Sequence, residues 1–116
     1  QGLVDLGVLE GSVAENLENE SWRHFYMHGL GHFLGLDVHD VGNYKVEGED
    51  RPLKPGMVIT IEPGVYISQD SDAPDKYKGI GVRIEDDVVI TATGVEILTS
   101  DVPKEIDEIE ALMAKS

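Results

Sequence analysis

Three of the chain's four histidines fall within twelve residues, His28-Gly29-Leu30-Gly31-His32-Phe33-Leu34-Gly35-Leu36-Asp37-Val38-His39. An imidazole serves as general base, as hydrogen-bond donor to a charging oxygen, or as a ligand for a divalent metal. The interleaved glycines let backbone approach a bound group closely. The spacing leaves all three histidines eligible as ligands. The plain alternative is a set of interior or loop histidines held by ordinary hydrogen bonds. Two glutamates stand in apolar surroundings. Glu62 ends the run Met57-Val58-Ile59-Thr60-Ile61, and Glu85 follows Ile80-Gly81-Val82-Arg83-Ile84. Side chains of an extended segment alternate faces, so Thr60 and Glu62 oppose Ile59 and Ile61, and Arg83 and Glu85 oppose Val82 and Ile84. A carboxylate in an apolar strand is costly unless it is paired or holds a cation. The competing reading is the solvated outer face of a half-buried sheet. One imidazole and two carboxylates, without thiolate, suit Mn²⁺, Mg²⁺, Fe²⁺, Co²⁺ or Zn²⁺, and the carboxylate majority favours Mn²⁺. A carboxylate bridging two such ions can keep a hydroxide nucleophile between them, at a metal spacing of roughly 3.5–4 Å. The residues taken alone read as half of a metallohydrolase site.

Those side chains need strands and turns to carry them. Ser12 and Glu15 have the spacing of a capping box, and Val13 and Leu17 share a helical face, which predicts a helix over 12–19. The glycine density of 22–42 opposes a helix and suits bent strands and turns. Residues 43–56, with Pro52 and Pro55, read as a surface loop ending in a turn at Lys54-Pro55-Gly56. Strands are predicted over 57–61, 65–67, 80–84, 88–91 and 95–98, with a loop over 68–78. Ile106, Ile109, Leu112 and Met113 fall at helical spacing, with acids early and Lys115 late, which suits a terminal helix. The expected class is α+β, a mainly antiparallel curved sheet with flanking helices.

Composition narrows the function. One hundred and sixteen residues suffice for one small domain. Nine basic residues against 23 acidic ones give a net charge of −14. That charge opposes nucleic acid and anionic membrane as partners, since both require a basic face. No run is long and apolar enough for a membrane helix. The absence of cysteine excludes disulfides and thiolate metal sites and allows a reducing compartment. The chain opens on Gln1 without the pattern of a signal peptide, which suggests part of a longer protein.

Three blocks in order, HGLGHFLGLDVHDVG at 28–42, LKPGMVITIEPGVYI at 53–67 and GIGVRIEDDVVITATGVEILT at 79–99, resemble the pita-bread metallopeptidases. Within that family the chain is most similar to the Xaa-Pro aminopeptidase (aminopeptidase P) group, with prolidases close behind. The resemblance spans essentially the whole chain. It implies half of a pita-bread fold, with residues 1–116 as the C-terminal part of the catalytic domain. It implies His32, Glu62 and Glu85 as three ligands of a dinuclear Mn²⁺ site, Glu85 bridging, and Glu62 also shuttling a proton. His39 matches the histidine that contacts the scissile peptide, and His28 a further active-site histidine of the proline-directed members. Arg83 and Tyr66 match residues that orient the ligands.

The implied enzyme is a cytoplasmic exopeptidase that releases the N-terminal residue from Xaa-Pro peptides. A prolidase acting on Xaa-Pro dipeptides is the nearest alternative. A non-catalytic peptide-binding or scaffold module on the same fold is the other, although such modules tend to lose the ligands that stand here. The family's two aspartate ligands lie upstream of the matching blocks, and Asp5, the sole aspartate of residues 1–27, sits in no matching motif. The 116 residues alone are therefore expected to be inactive. The expected partners are a proline-containing peptide, the missing N-terminal half of the catalytic domain and further copies of the chain.

Overall fold

The computed structural model describes residues 1–115. In chain order the elements are α1 (Gly2–Asp5), α2 (Val13–Glu18), β1 (Lys45–Val46), β2 (Glu49–Asp50), β3 (Val58–Ile61), β4 (Gly64–Tyr66), β5 (Gly81–Arg83), β6 (Asp86–Ile90), β7 (Val95–Ile97) and α3 (Ile106–Met113). Turns of 3-10 helix occupy Ser21–His24 and Asp75–Tyr77. Every strand pair is antiparallel, and the class is α+β as expected. The chain divides into two compact units. One takes Gln1–Gly29 and Pro63–Arg83, and the other takes Leu30–Glu62 and the chain from Ile84 onward.

In the first unit α2 starts at the expected cap. Ser12 Oγ accepts from the Glu15 N–H at 3.2 Å, and Glu15 Oε2 accepts from the Ser12 N–H at 2.8 Å. These bonds, the backbone one foremost, hold the Glu15 carboxyl below the usual glutamate range. The buried Asn16 amide donates to the Glu10 and Ser12 carbonyls at 2.8 Å each, pinning the helix to the preceding turn. Val8, Phe25, Ile67 and Ala73 form a small core, with Leu3, Leu9, Val65 and Tyr77 packed against it. The ribbon β4–β5 completes the unit.

The second unit holds a sheet in the order β3-β6-β7. Residues 30–34 lie along the free edge of β3. The Glu62 N–H donates to the Leu30 carbonyl (2.7 Å), the Thr60 N–H to the His32 carbonyl (2.9 Å), and the Leu34 N–H to the Val58 carbonyl (3.0 Å). Phe33 bridges Ile59 in the same antiparallel register.

Several expectations change in detail. The loop expected over 43–56 contains the hairpin β1–β2, turned by Glu47 and Gly48, both at positive φ (54° and 89°). Glutamate is an uncommon residue for that conformation, which hid the hairpin. The bent run beginning at Trp22 starts instead in a 3-10 turn, and α1 was not foreseen. The strand expected from Val88 begins at Asp86. Asp86 is accommodated there because the Thr99 hydroxyl (2.6 Å) and the Lys104 ammonium (2.9 Å) both reach its Oδ1. Arg83 and Glu85 do not share one strand: β5 ends at Arg83 and β6 begins at Asp86.

Candidate metal centre

His32, Glu62 and Glu85 each offer a ligand atom, and these atoms all lie within 4.8 Å of one another. Register explains the meeting. β3 pairs β6 with Thr60 opposite Asp87 and Ile61 opposite Asp86. One residue further along that register sets Glu62 against Glu85. Directly opposed residues of an antiparallel pair share a face, and like charges so placed repel. On the other edge of β3, the backbone bond sets His32 opposite Thr60, and Glu62 is its diagonal neighbour on the same face. His32 Nε2 reaches Glu62 Oε1 at 3.2 Å.

The polar face is the inner one. Thr60 is 1% exposed and Glu62 is 7% exposed, whereas Ile59 and Ile61 on the other side are only half-buried. The solvated-outer-face alternative therefore fails at Glu62. Thr60 Oγ1 accepts from the His32 N–H at 3.0 Å and donates to Glu62 Oε1 at 3.1 Å. One hydroxyl thus ties two of the three donors together. It is the functional residue that strand reasoning passed over, though a threonine two residues before Glu62 in an apolar run was its signal.

The donor set fits a divalent cation. His32 Nδ1 lies 3.0 Å from the Phe33 carbonyl. A carbonyl only accepts, so Nδ1 is the donor in this contact, and Nε2 is the ring nitrogen turned toward the cluster. This backbone bond is the usual way of fixing a metal-binding imidazole. With Nε2 unprotonated, as a metal ligand must be, the imidazole and the two carboxylates would offer their lone pairs to one cation. Glu85, the third donor, is exposed.

The other expected residues take definite places. The exposed His39 ring stands 4.3 Å, centroid to centroid, from the His32 ring. His28, Tyr66 and Arg83 belong to the first unit, where His28 Nε2 lies 2.9 Å from the Tyr66 hydroxyl and Arg83 Nε donates to that hydroxyl at 2.7 Å. Asp5 accepts from the Gln1 side-chain amide at 2.5 Å and takes no part in the cluster. Next to Glu85, the Thr99 hydroxyl foremost and then the Lys104 ammonium hold the Asp86 carboxyl below the usual aspartate range. This clasp anchors the strand end that presents Glu85, and sequence reasoning did not find it. The first unit's apolar groove of about 470 Å³, lined by Leu3, Leu9, Trp22, Val65 and Ile67 among others, includes none of the donors. Among the described residues no helix is long and apolar enough to cross a membrane.

Residues 4–92 match the metallopeptidase family M24. The chain is 62% identical over 113 residues to an Xaa-Pro aminopeptidase of Haemophilus influenzae, covering 97% of this chain and 26% of that protein. It superposes on Pseudomonas aeruginosa aminopeptidase PepP with a TM-score of 0.94 at 59% identity, over 98% of this chain and 26% of that one. Escherichia coli aminopeptidase P with the inhibitor Pro-Leu gives a TM-score of 0.92 at 57% identity, with the same coverage, 98% and 26%. The chain thus spans about a quarter of the length of the curated relatives it matches.

Proposed function

The chain belongs to metallopeptidase family M24, and from that premise we propose that it is the C-terminal part of the catalytic domain of a cytoplasmic, Mn²⁺-dependent Xaa-Pro aminopeptidase. The observation that carries the proposal is the convergence of His32, Glu62 and Glu85 within 4.8 Å. In the longer protein His32, Glu62 and Glu85 would hold two such ions together with two aspartates of the upstream half. The ions supply Lewis acidity to the scissile carbonyl and an activated water. Glu62, held by Thr60 and beside His32, carries a proton toward the leaving proline nitrogen. His39 donates to the peptide oxygen as it takes on charge, where a placed donor lowers the barrier most. His28 lines the peptide's path, and Tyr66 and Arg83 orient the groups around it. The names of the relatives favour this substrate class over the dipeptides of a prolidase, and the intact donors favour an enzyme over a scaffold module. The apolar surface left open on this chain is covered by the upstream half or, without it, by further copies.

The test is an assay on an Xaa-Pro-Xaa peptide and an Xaa-Pro dipeptide with excess Mn²⁺, before and after adding the separately expressed upstream half. Turnover of the longer peptide only after the addition supports the proposal. Metal-dependent turnover by the 116 residues alone overturns the half-site reading, and turnover of the dipeptide alone moves the protein to the prolidases.

A further inference from the structure

β4 and β5 carry nearly the same tripeptide, Gly64-Val65-Tyr66 and Gly81-Val82-Arg83, paired with Gly64 opposite Arg83 and Tyr66 opposite Gly81. Alternation puts the two glycines, Tyr66 and Arg83 on one face of the ribbon, each large side chain opposite a glycine. A Cβ on Gly64 would meet the Tyr66 hydroxyl oxygen at 2.5 Å and Cζ at 2.8 Å, and one on Gly81 would stand 3.3 Å from Cδ1. The phenol therefore lies along the ribbon in a channel that two missing side chains leave open. The Arg83 guanidinium stands 5.7 Å from its ring centroid, with Nε donating to the hydroxyl oxygen at 2.7 Å.

The other end of the channel is His28. Its Nε2 is 2.9 Å from the Tyr66 hydroxyl, and its Nδ1 is 2.8 Å from the Gly29 carbonyl. Both ends of this relay run one way, because a guanidinium has only donors and a carbonyl only accepts. The Gly29 carbonyl accepts from Nδ1–H, so in the neutral form of the ring Nε2 is the bare nitrogen. The Tyr66 oxygen accepts from Arg83 and turns its own proton onto that nitrogen. Tyr26 meets the His28 ring edge-on at 4.8 Å, which restrains the ring's rotation.

We propose that Tyr66 is a positioning residue for His28, holding it in the Nδ1–H tautomer, with Arg83 and the Gly64/Gly81 channel aiming the Tyr66 hydroxyl. This gives Tyr66 and Arg83 a role toward the His28 imidazole. Its consequence for catalysis rests on the function proposed above: both nitrogens of His28 are engaged, so the N–H offered to a charging peptide oxygen comes from His39.

The experiment is ¹⁵N NMR of the histidine-labelled full-length protein loaded with Zn²⁺, which is diamagnetic. The expected wild-type spectrum has His28 protonated at Nδ1 and bare at Nε2. Tyr66→Phe removes the donor, and the His28 Nε2 resonance is expected to move by several ppm while those of His32 and His39 stay in place. Gly64→Ala, which keeps the hydroxyl but displaces it, should move the same resonance. In turnover, Tyr66→Phe should lower kcat/KM by about tenfold, the scale of one hydrogen bond. A wild-type His28 protonated at Nε2, or a Nε2 resonance indifferent to Tyr66→Phe, overturns the proposal. Should neither variant fold, the wild-type tautomer decides alone. The spectrum reads the ring without turnover, so absent peptidase activity would count against the proposed function and not against this assignment.

Discussion

Thr60 shows how one side chain sets the chemistry of its neighbours. Its hydroxyl is fully buried between the His32 N–H and the Glu62 carboxylate, accepting from one and donating to the other. Valine is close in shape but leaves both partners without their bond. Thr60→Val should therefore cost about 1–3 kcal/mol in urea unfolding and weaken Mn²⁺ binding measured by calorimetry. Unchanged metal affinity would show that the hydroxyl does not organise the donors. The donors themselves separate by role. In the full-length protein Glu85→Ala should abolish turnover and lower metal content, because it removes a donor shared with His32 and Glu62. His39→Ala should lower kcat by roughly a hundredfold, as loss of a donor at a charging oxygen does, with metal content near normal. Metal analysis beside turnover distinguishes the two, and a His39→Ala protein without metal would move His39 into the ligand set.

At the scale of the elements, the edge formed by residues 30–34 on β3 decides which histidine faces Glu62. That edge needs Gly31, since a Cβ there would run into the Thr60 carbonyl, and backbone cannot swing aside as a flexible side chain does. Gly31→Ala should destabilise by about 1–3 kcal/mol through overpacking, and it should weaken metal binding with every ligand still present. Full metal affinity in that variant would mean the edge pairing does not place His32. The cap of α2 gives a pH test. Glu15 is held below its usual range by Ser12, so its contribution is complete above the unfolded glutamate value, about pH 4.3. It is lost as pH falls through the lowered folded value. Glu15→Gln keeps an acceptor for the Ser12 N–H but does not titrate. Amide exchange in α2 should therefore speed up below about pH 4 in the wild type more than in the variant. Parallel pH profiles would sink this account of the cap.

For the whole chain, exposed apolar side chains are the dominant physical fact. Leu36 and Val41 are almost wholly exposed, and Ile106 and Leu112 of α3 are exposed over more than half their surface. Apolar surface beyond a few hundred Å² seeks a partner. Sedimentation of the isolated chain at high micromolar concentration should show self-association that the upstream half suppresses when added. A clean monomer throughout would count against it. Net charge of −14 opposes that association, so added salt, which screens the repulsion, should strengthen it.

Local rules carried much of this protein. The capping box at Ser12 and Glu15, the alternation that puts Thr60 and Glu62 on one face, and a donor set of imidazole and carboxylates are all properties of neighbouring residues. They follow from backbone geometry with a period of two or 3.6 residues, and the three block matches supplied the family. Alternation could not say which face was inside. That depended on what the sheet packs, and the carboxylate face proved more buried than the isoleucine face. Spacing left three histidines eligible, and the backbone ladder from Leu30 to Leu34 selected His32. Opposition of Glu62 and Glu85 is a matter of register between β3 and β6, fixed by pairing distant segments and invisible in either one. The Tyr66–His28 bond belongs to the same class, since it needs two glycines on paired strands to open the channel. Sequence determined which chemistry the side chains can do, because alternation and composition are local. Tertiary structure decided which of them meet, because register and burial depend on the energy of the whole packed chain.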